Sequence, residues 1–133
     1  MKRFTRHLLI CTAIAATLFT ATVSAANSSY YLEVPNGSSL KTGYVTKDDS
    51  EGKAYITPTY AEASRDKGSR AWVVDASGKQ ISDSVNLEDG KKVTSRYYAG
   101  YNIAGSEYRL KVTYVANPMY YPMTGLEKGV WCP

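Results

Sequence analysis

Glu107-Tyr108-Arg109-Leu110-Lys111-Val112-Thr113-Tyr114-Val115-Ala116 alternates with a period of two. Tyr108, Leu110, Val112, Tyr114 and Ala116 fall on one side, Arg109, Lys111 and Thr113 on the other, and only Val115 interrupts the polar side. Successive side chains of a strand point to opposite faces, so this is the pattern of an antiparallel strand with one face buried and one face wet. Working outward, Arg70–Asp75 holds the apolar run Ala71-Trp72-Val73-Val74 of a central strand, and Lys91–Tyr98 sets Val93 and Tyr97 against Lys92, Thr94, Arg96 and Tyr98. Shorter strand segments are expected at Tyr30–Val34, Tyr44–Lys47, Lys53–Thr57, Gln80–Leu87 and Leu126–Trp131.

Turn chemistry separates these pieces. Asp75-Ala76-Ser77-Gly78 suits a type I turn and should fold Arg70–Asp75 back against Gln80–Leu87. Asp89-Gly90 is a strong two-residue hairpin signal between Gln80–Leu87 and Lys91–Tyr98. Pro35-Asn36-Gly37 and the acidic run Asp48-Asp49-Ser50-Glu51-Gly52 close two further strands. No stretch carries apolar residues at helical spacing, and Ala61–Lys67 offers at most one helical turn. About seven short strands with a turn every eight to twelve residues make an all-β chain, a small antiparallel β-sandwich or else a small β-barrel. Alternation places Leu32, Val34, Ile56, Trp72, Val74, Ile81, Val85, Leu87, Val93, Tyr97, Leu110, Val112 and Tyr114 in the core. Asp83 shares the parity of Ile81 and Val85, which calls for a sheet margin or a bulge there.

The amino terminus reads as an export leader. Met1–His7 is basic, Leu8–Val23 is an apolar run with four threonines, and Val23-Ser24-Ala25 offers a cleavage site. The run is short for a membrane-spanning helix, which needs roughly 20 strongly apolar residues. The expectation is a signal peptide at 1–25, removed, one sandwich domain at 26–133 and a secreted, extracellular product with no membrane insertion of the mature chain. Cleavage at 25 takes away Lys2, Arg3 and Arg6 and no acid, lowering the net charge from +4 to +1. A near-neutral chain gives no reason to expect nucleic acid as a partner.

Removal of the leader also takes His7, Phe4, Phe19 and Cys11, leaving a chain with no histidine and a lone cysteine, Cys132. Nucleophilic triads that use histidine are excluded, as are zinc sites built from nitrogen and sulfur ligands. No phosphate-cradling glycine motif occurs, so no cofactor and no metal is expected. Carboxylates are the remaining catalytic option, and the Asp48, Asp49 and Glu51 cluster reads as a solvated hairpin tip. The chain is therefore read as a non-enzyme with no catalytic residues. Cys132 stands beside Pro133 and is expected to be accessible, allowing a disulfide-linked dimer.

Tyrosine is the positive anomaly: all twelve lie beyond the leader, where no phenylalanine remains. Its broad ring and hydroxyl suit both wet sheet faces and binding surfaces. Tyr120 and Tyr121 sit between Pro118 and Pro122 on an expected loop, and Tyr98 and Tyr101 form a second group. If Lys91–Tyr98 neighbours Glu107–Ala116, then Arg96, Arg109 and Lys111 would join them in a basic, aromatic-ended stripe. The candidate binding residues are thus Arg96, Tyr98, Tyr101, Arg109, Lys111, Tyr120 and Tyr121. They point to a secreted binding protein that contacts a cell-surface polymer or a protein partner. The alternative is a bacteriocin-like antagonist acting on a competitor's envelope.

Gly105-Ser106-Glu107-Tyr108-Arg109-Leu110-Lys111-Val112, followed by Gly129-Val130-Trp131-Cys132-Pro133, resembles uncharacterised short exported proteins of Gram-positive bacteria that close on a Gly-x-Trp-x-Pro motif. The resemblance covers about the last thirty residues, with Cys132 where those proteins more often carry serine. It implies export and a β-sandwich, and it carries over no site residues.

Overall fold

A computed structural model describes residues 27–133, and the leader expected at 1–25 lies outside the described residues. Nine strands are present among the described residues: β1 (Ser28–Pro35), β2 (Ser38–Lys41), β3 (Val45–Thr46), β4 (Lys53–Ala61), β5 (Ser69–Val74), β6 (Val85–Asn86), β7 (Val93–Arg96), β8 (Glu107–Tyr114) and β9 (Thr124–Cys132). They build two antiparallel sheets. One is four-stranded in the order β1-β9-β4-β7, and the other runs β2-β8-β5-β6 with β3 also pairing to β8. Neither closes on itself, so the protein is a small β-sandwich and not a barrel. Ser64–Asp66 is a single 3-10 turn within Ala61–Lys67, the segment expected to offer at most one helical turn.

The alternation of Glu107–Ala116 holds through β8, with Tyr108, Leu110, Val112 and Tyr114 buried and Arg109, Lys111 and Thr113 half-buried on the outside. Register on this strand orients its neighbours. Trp72 stands opposite Lys111 and so faces outward, half-buried, while Ala71 and Val73 enter the core. Placing Trp72 in the core by alternation was therefore incorrect, because the run Ala71-Trp72-Val73-Val74 is apolar at both parities and register against β8 decides which one faces inward. The core between the sheets holds Ile56, Val73, Ile81, Leu87, Leu110, Val112 and Trp131, with Leu32, Val85, Val93 and Tyr97 packed at its margin. Asp83 is exposed, and the period breaks beside it: Ile81 and the adjacent Ser82 are both buried.

The turns behave differently from a chain of hairpins. The Asp75–Gly78 turn forms as expected, with Gly78 N–H donating to Asp75 O at 3.0 Å and Val74 bridging Gln80. Asp89-Gly90 does not make a hairpin. β6 pairs with β5 and β7 with β4, so this turn carries the chain from one sheet to the other. Gly90 does take a positive φ of 70°, but its N–H donates to Pro58 O and docks the turn on β4. The chain likewise changes sheet between β1 and β2, β3 and β4, β4 and β5, β7 and β8, and β8 and β9. The acidic run 48–51 is one of these crossovers and not a hairpin tip, although Asp48, Ser50 and Glu51 are exposed as expected.

The Gly-x-Trp-x-Pro motif is a packing device. Gly129, Trp131 and Pro133 are all buried, and a Cβ at Gly129 would strike Thr57 O, Pro58 Cα and the Tyr30 hydroxyl. The gap left by glycine lets β9 approach β4 closely enough for Trp131 to fill the core. Cys132 is buried as well, 8% exposed, correcting the expectation that proximity to Pro133 leaves it accessible. Burial raises the pKa of its thiol.

Candidate functional site

The seven candidate residues separate into four groups. Arg96 lies on the outer face of the four-stranded sheet opposite Lys53, whereas Arg109 and Lys111 lie on the outer face of the other sheet. Because β7 and β8 belong to different sheets, the stripe expected to join Arg96 with Arg109 and Lys111 does not form. Tyr98 and Tyr101 sit beyond β7 at the end of the sandwich formed by loops 42–52, 75–84 and 97–106. There the Tyr98 hydroxyl meets Gln80 Nε2 at 3.2 Å and Lys79 Nζ donates to the Tyr101 hydroxyl at 2.8 Å. Tyr120 and Tyr121 occupy the opposite end, on the crossover from β8 to β9.

This last group is the one that the fold completes. Tyr60, Glu62, Ser64, Arg65 and Asp89 join Tyr120 and Tyr121 around a cleft of about 440 Å³. The crossover that presents the two tyrosines is fastened at its base. Asn36 pairs both ways with Ala116, donating from Nδ2 at 2.8 Å and accepting at Oδ1 at 3.0 Å. Asn117 Oδ1 accepts the Met119 N–H, and its carbonyl accepts those of Tyr120 and Tyr121. Tyr121 then donates to Asp66 Oδ2 at 2.5 Å. A loop held this way keeps Met119 and Tyr120 outside, 79% and 75% exposed, without leaving them free to fold away.

The acids of the cleft are tied to the backbone. Asp89 Oδ1 accepts the Ala61 N–H at 2.6 Å, and Glu62 Oε2 accepts that of Leu126 at 3.2 Å. Burial and then Glu62 raise the Tyr60 pKa, and the hydrogen bond to Asp66 raises that of Tyr121, so both phenols stay protonated. Beneath the cleft, Glu127 pairs with Ala61 and is fully buried. Loss of solvent pushes its carboxyl up to about 7.

The cleft opens onto a cross-strand row. Tyr60 stands opposite Lys128, which stands opposite Tyr31, all on the outer face of the four-stranded sheet. Tyr60 and Tyr31 are therefore two strand spacings apart, about 10 Å. Sequence reasoning missed Tyr60 because Pro58, which cannot donate to a sheet ladder, marked the end of that strand. The strand continues because β7 pairs with β4 only as far as Ile56, and a bulge between Pro58 and Tyr60 absorbs the irregularity. Asp89 was visible only as a turn residue.

A second cleft, about 360 Å³, lies at the other end of the same face, between Asn27, Tyr55, Thr57, Lys92 and Cys132. Lys92 Nζ covers the Tyr55 ring there, 4.1 Å from its centroid. Among the described residues no group of three or more His, Cys, Asp or Glu side chains is arranged to hold a metal ion, and no helix is long and apolar enough to cross a membrane. Compared with known proteins, the chain matches no family model and no curated protein.

Proposed function

We propose that this chain is an exported, non-enzymatic binding module that acts by contact with a cell-surface polymer, a saccharide chain laid along the tyrosine track. The observation that carries this reading is the convergence of Tyr120 and Tyr121, from the crossover between β8 and β9, with Tyr60 of β4 into a row that runs on to Tyr31. Tyrosine rings cover the apolar faces of sugar rings, and their hydroxyls, with Glu62 and Asp89, offer partners to sugar hydroxyls. Two exposed tyrosines about 10 Å apart match the scale of two sugar rings and favour an extended ligand over a small one.

The chemistry of the cleft supports contact over turnover. Its phenols are held neutral, its acids hold backbone N–H groups, and the carboxyl with the most perturbed acidity, Glu127, is beyond the reach of any substrate. A general acid must come within hydrogen-bond reach of the reacting group.

Retention of the purified protein on insoluble cell-wall polysaccharide tests the reading. Tyr60→Ala and Tyr120→Ala should each weaken retention about tenfold, the loss of one aromatic contact worth roughly 1.4 kcal/mol. Unchanged retention in both variants, or release of soluble sugar from the polymer, would overturn it.

A further inference from the structure

The outer face of the five-stranded sheet carries a second surface, unrelated to the tyrosine track. On β8, Arg109 and Lys111 point outward. Lys41 of β2 stands directly opposite Lys111 on one side and Trp72 of β5 on the other. Arg70 lies in the next row, opposite Thr113. None of these four cations has a carboxylate within ion-pair distance; the two ion pairs among the described residues, Lys47–Asp49 and Lys91–Glu88, lie elsewhere. Glu107, at the start of β8, is the acid that shares the outward parity of that strand.

Two like charges directly opposite one another destabilise a sheet. Here they are held in place. Lys111 Nζ sits over the Trp72 ring, 5.6 Å from its centroid. The Arg109 guanidinium sits over Tyr44 at 4.8 Å, and its Nε donates to Thr42 O at 2.8 Å. Each ring carries a cation against it and so serves as a prop for charge.

We infer that this face binds a linear phosphodiester polymer through Lys41, Arg70, Arg109 and Lys111. A small anion needs donors that converge, and both described clefts lie away from this face. A polymer with a charge on every backbone unit needs only a flat surface with cations at repeated points. Lysine serves phosphate well as a compact point charge. An acidic peptide fits less well, because β8 and β5 are interior strands whose N–H and C=O groups are already paired within the sheet. A nucleic-acid base would have to compete with the Arg109 and Lys111 cations for the Tyr44 and Trp72 rings.

Binding of fluorescein-labelled poly(glycerol phosphate) to the intact protein tests this. Four contacts on a single chain should weaken the affinity about fifty-fold between 50 and 200 mM salt. Lys41→Gln together with Lys111→Gln should reduce that dependence to about sevenfold. Arg96→Gln, on the other sheet, and Tyr60→Ala with Tyr120→Ala should leave both affinity and salt dependence unchanged. That pattern separates this face from the saccharide track, so that each can fail without the other. Absence of binding at 50 mM salt, or a salt dependence unmoved by the double substitution, would overturn the inference. So would equal affinity for poly-glutamate, or tighter binding to phosphatidylglycerol vesicles or to a single-stranded oligonucleotide, which would reassign the face to an acidic peptide, a membrane or a nucleic acid.

Discussion

Lys47 and Glu127 are both withdrawn from solvent, one near each end of the sandwich. Lys47 keeps a partner: its Nζ is 2.8 Å from Asp49 Oδ1 and lies 5.0 Å from the centre of the Tyr97 ring. Glu127 has none. One of its oxygens accepts a hydrogen bond from Ser69 Oγ, which ties β9 to β5 across the sandwich, and the other accepts no bond. Burying a charge is strongly unfavourable unless it is paired or neutralised. The two ends thus display the two available solutions. Lys47 brings Asp49 with it, while Glu127 takes up a proton more readily than a free carboxyl does.

Breaking the pair at Lys47 should have the larger effect. Asp49→Asn leaves a buried ammonium with only a ring and an amide beside it. Removing one partner of a buried pair costs about 3–5 kcal/mol, and the partial exposure of Asp49 argues for the lower end. Lys47→Met combined with Asp49→Asn should recover most of that loss, because the methionine follows the path of the lysine stem without its charge. Urea denaturation at pH 7 of the two proteins checks the difference. Equal stability would show that the ammonium reaches water. The hydrogen bond from Lys47 also holds the Asp49 carboxyl below its usual range. The stability it confers is present above the unfolded carboxylate pKa and is lost as pH falls through the folded value.

Glu127 should show the opposite sign. Its carboxyl titrates near 7 in the folded chain and near 4.5 when unfolded. Between those values the folded chain binds the extra proton, so stability should decline as pH rises from about 4.5 to 7 and then level off. Glu127→Gln removes the titration while keeping the shape and the acceptor for Ser69. The variant should be more stable than the parent at pH 8, by on the order of 2–3 kcal/mol, and nearly equal to it at pH 4. Thermal melts at both pH values decide this, and a parent and variant that differ equally at both would refute it.

These two residues also show where a sequence stops being informative. The alternation of β8 was legible, and with it the fold class, because period-2 patterning depends on one strand at a time. Glu127 was legible in principle: it shares parity with Gly125, Gly129 and Trp131, and a buried tryptophan puts the whole set inside. Lys47 was not, since a lysine beside three acids reads as a solvated tip until Tyr97 arrives from another crossover to cover it. The candidate site divides the same way. Exposure of Tyr120 followed from its flanking prolines, whereas Tyr60 and the grouping of Lys41 and Arg70 with Lys111 depend on which strands pair. The misplaced stripe has that origin, because six of the eight strand-to-strand connections change sheet, and local turn chemistry does not announce such a change. Trp72, in contrast, was misplaced because an apolar run leaves its parity to the register with β8.

Ser69 gives the finest test of the comparison, because its hydroxyl is the side-chain donor to the Glu127 carboxyl and also accepts the Ala63 N–H at 3.1 Å. Ser69→Ala should destabilise the protein by about 1–2 kcal/mol through the two bonds it removes. A merely structural role would end there. The Ser69 hydroxyl, however, favours the ionised carboxyl and lowers its pKa against the larger effect of burial. Without it the Glu127 titration should move further upward, which the pH dependence of the carboxyl carbon resonance would follow directly. A loss of stability with no shift in that titration would mean that the proton on Glu127 is set by burial, with no share belonging to the Ser69 hydroxyl.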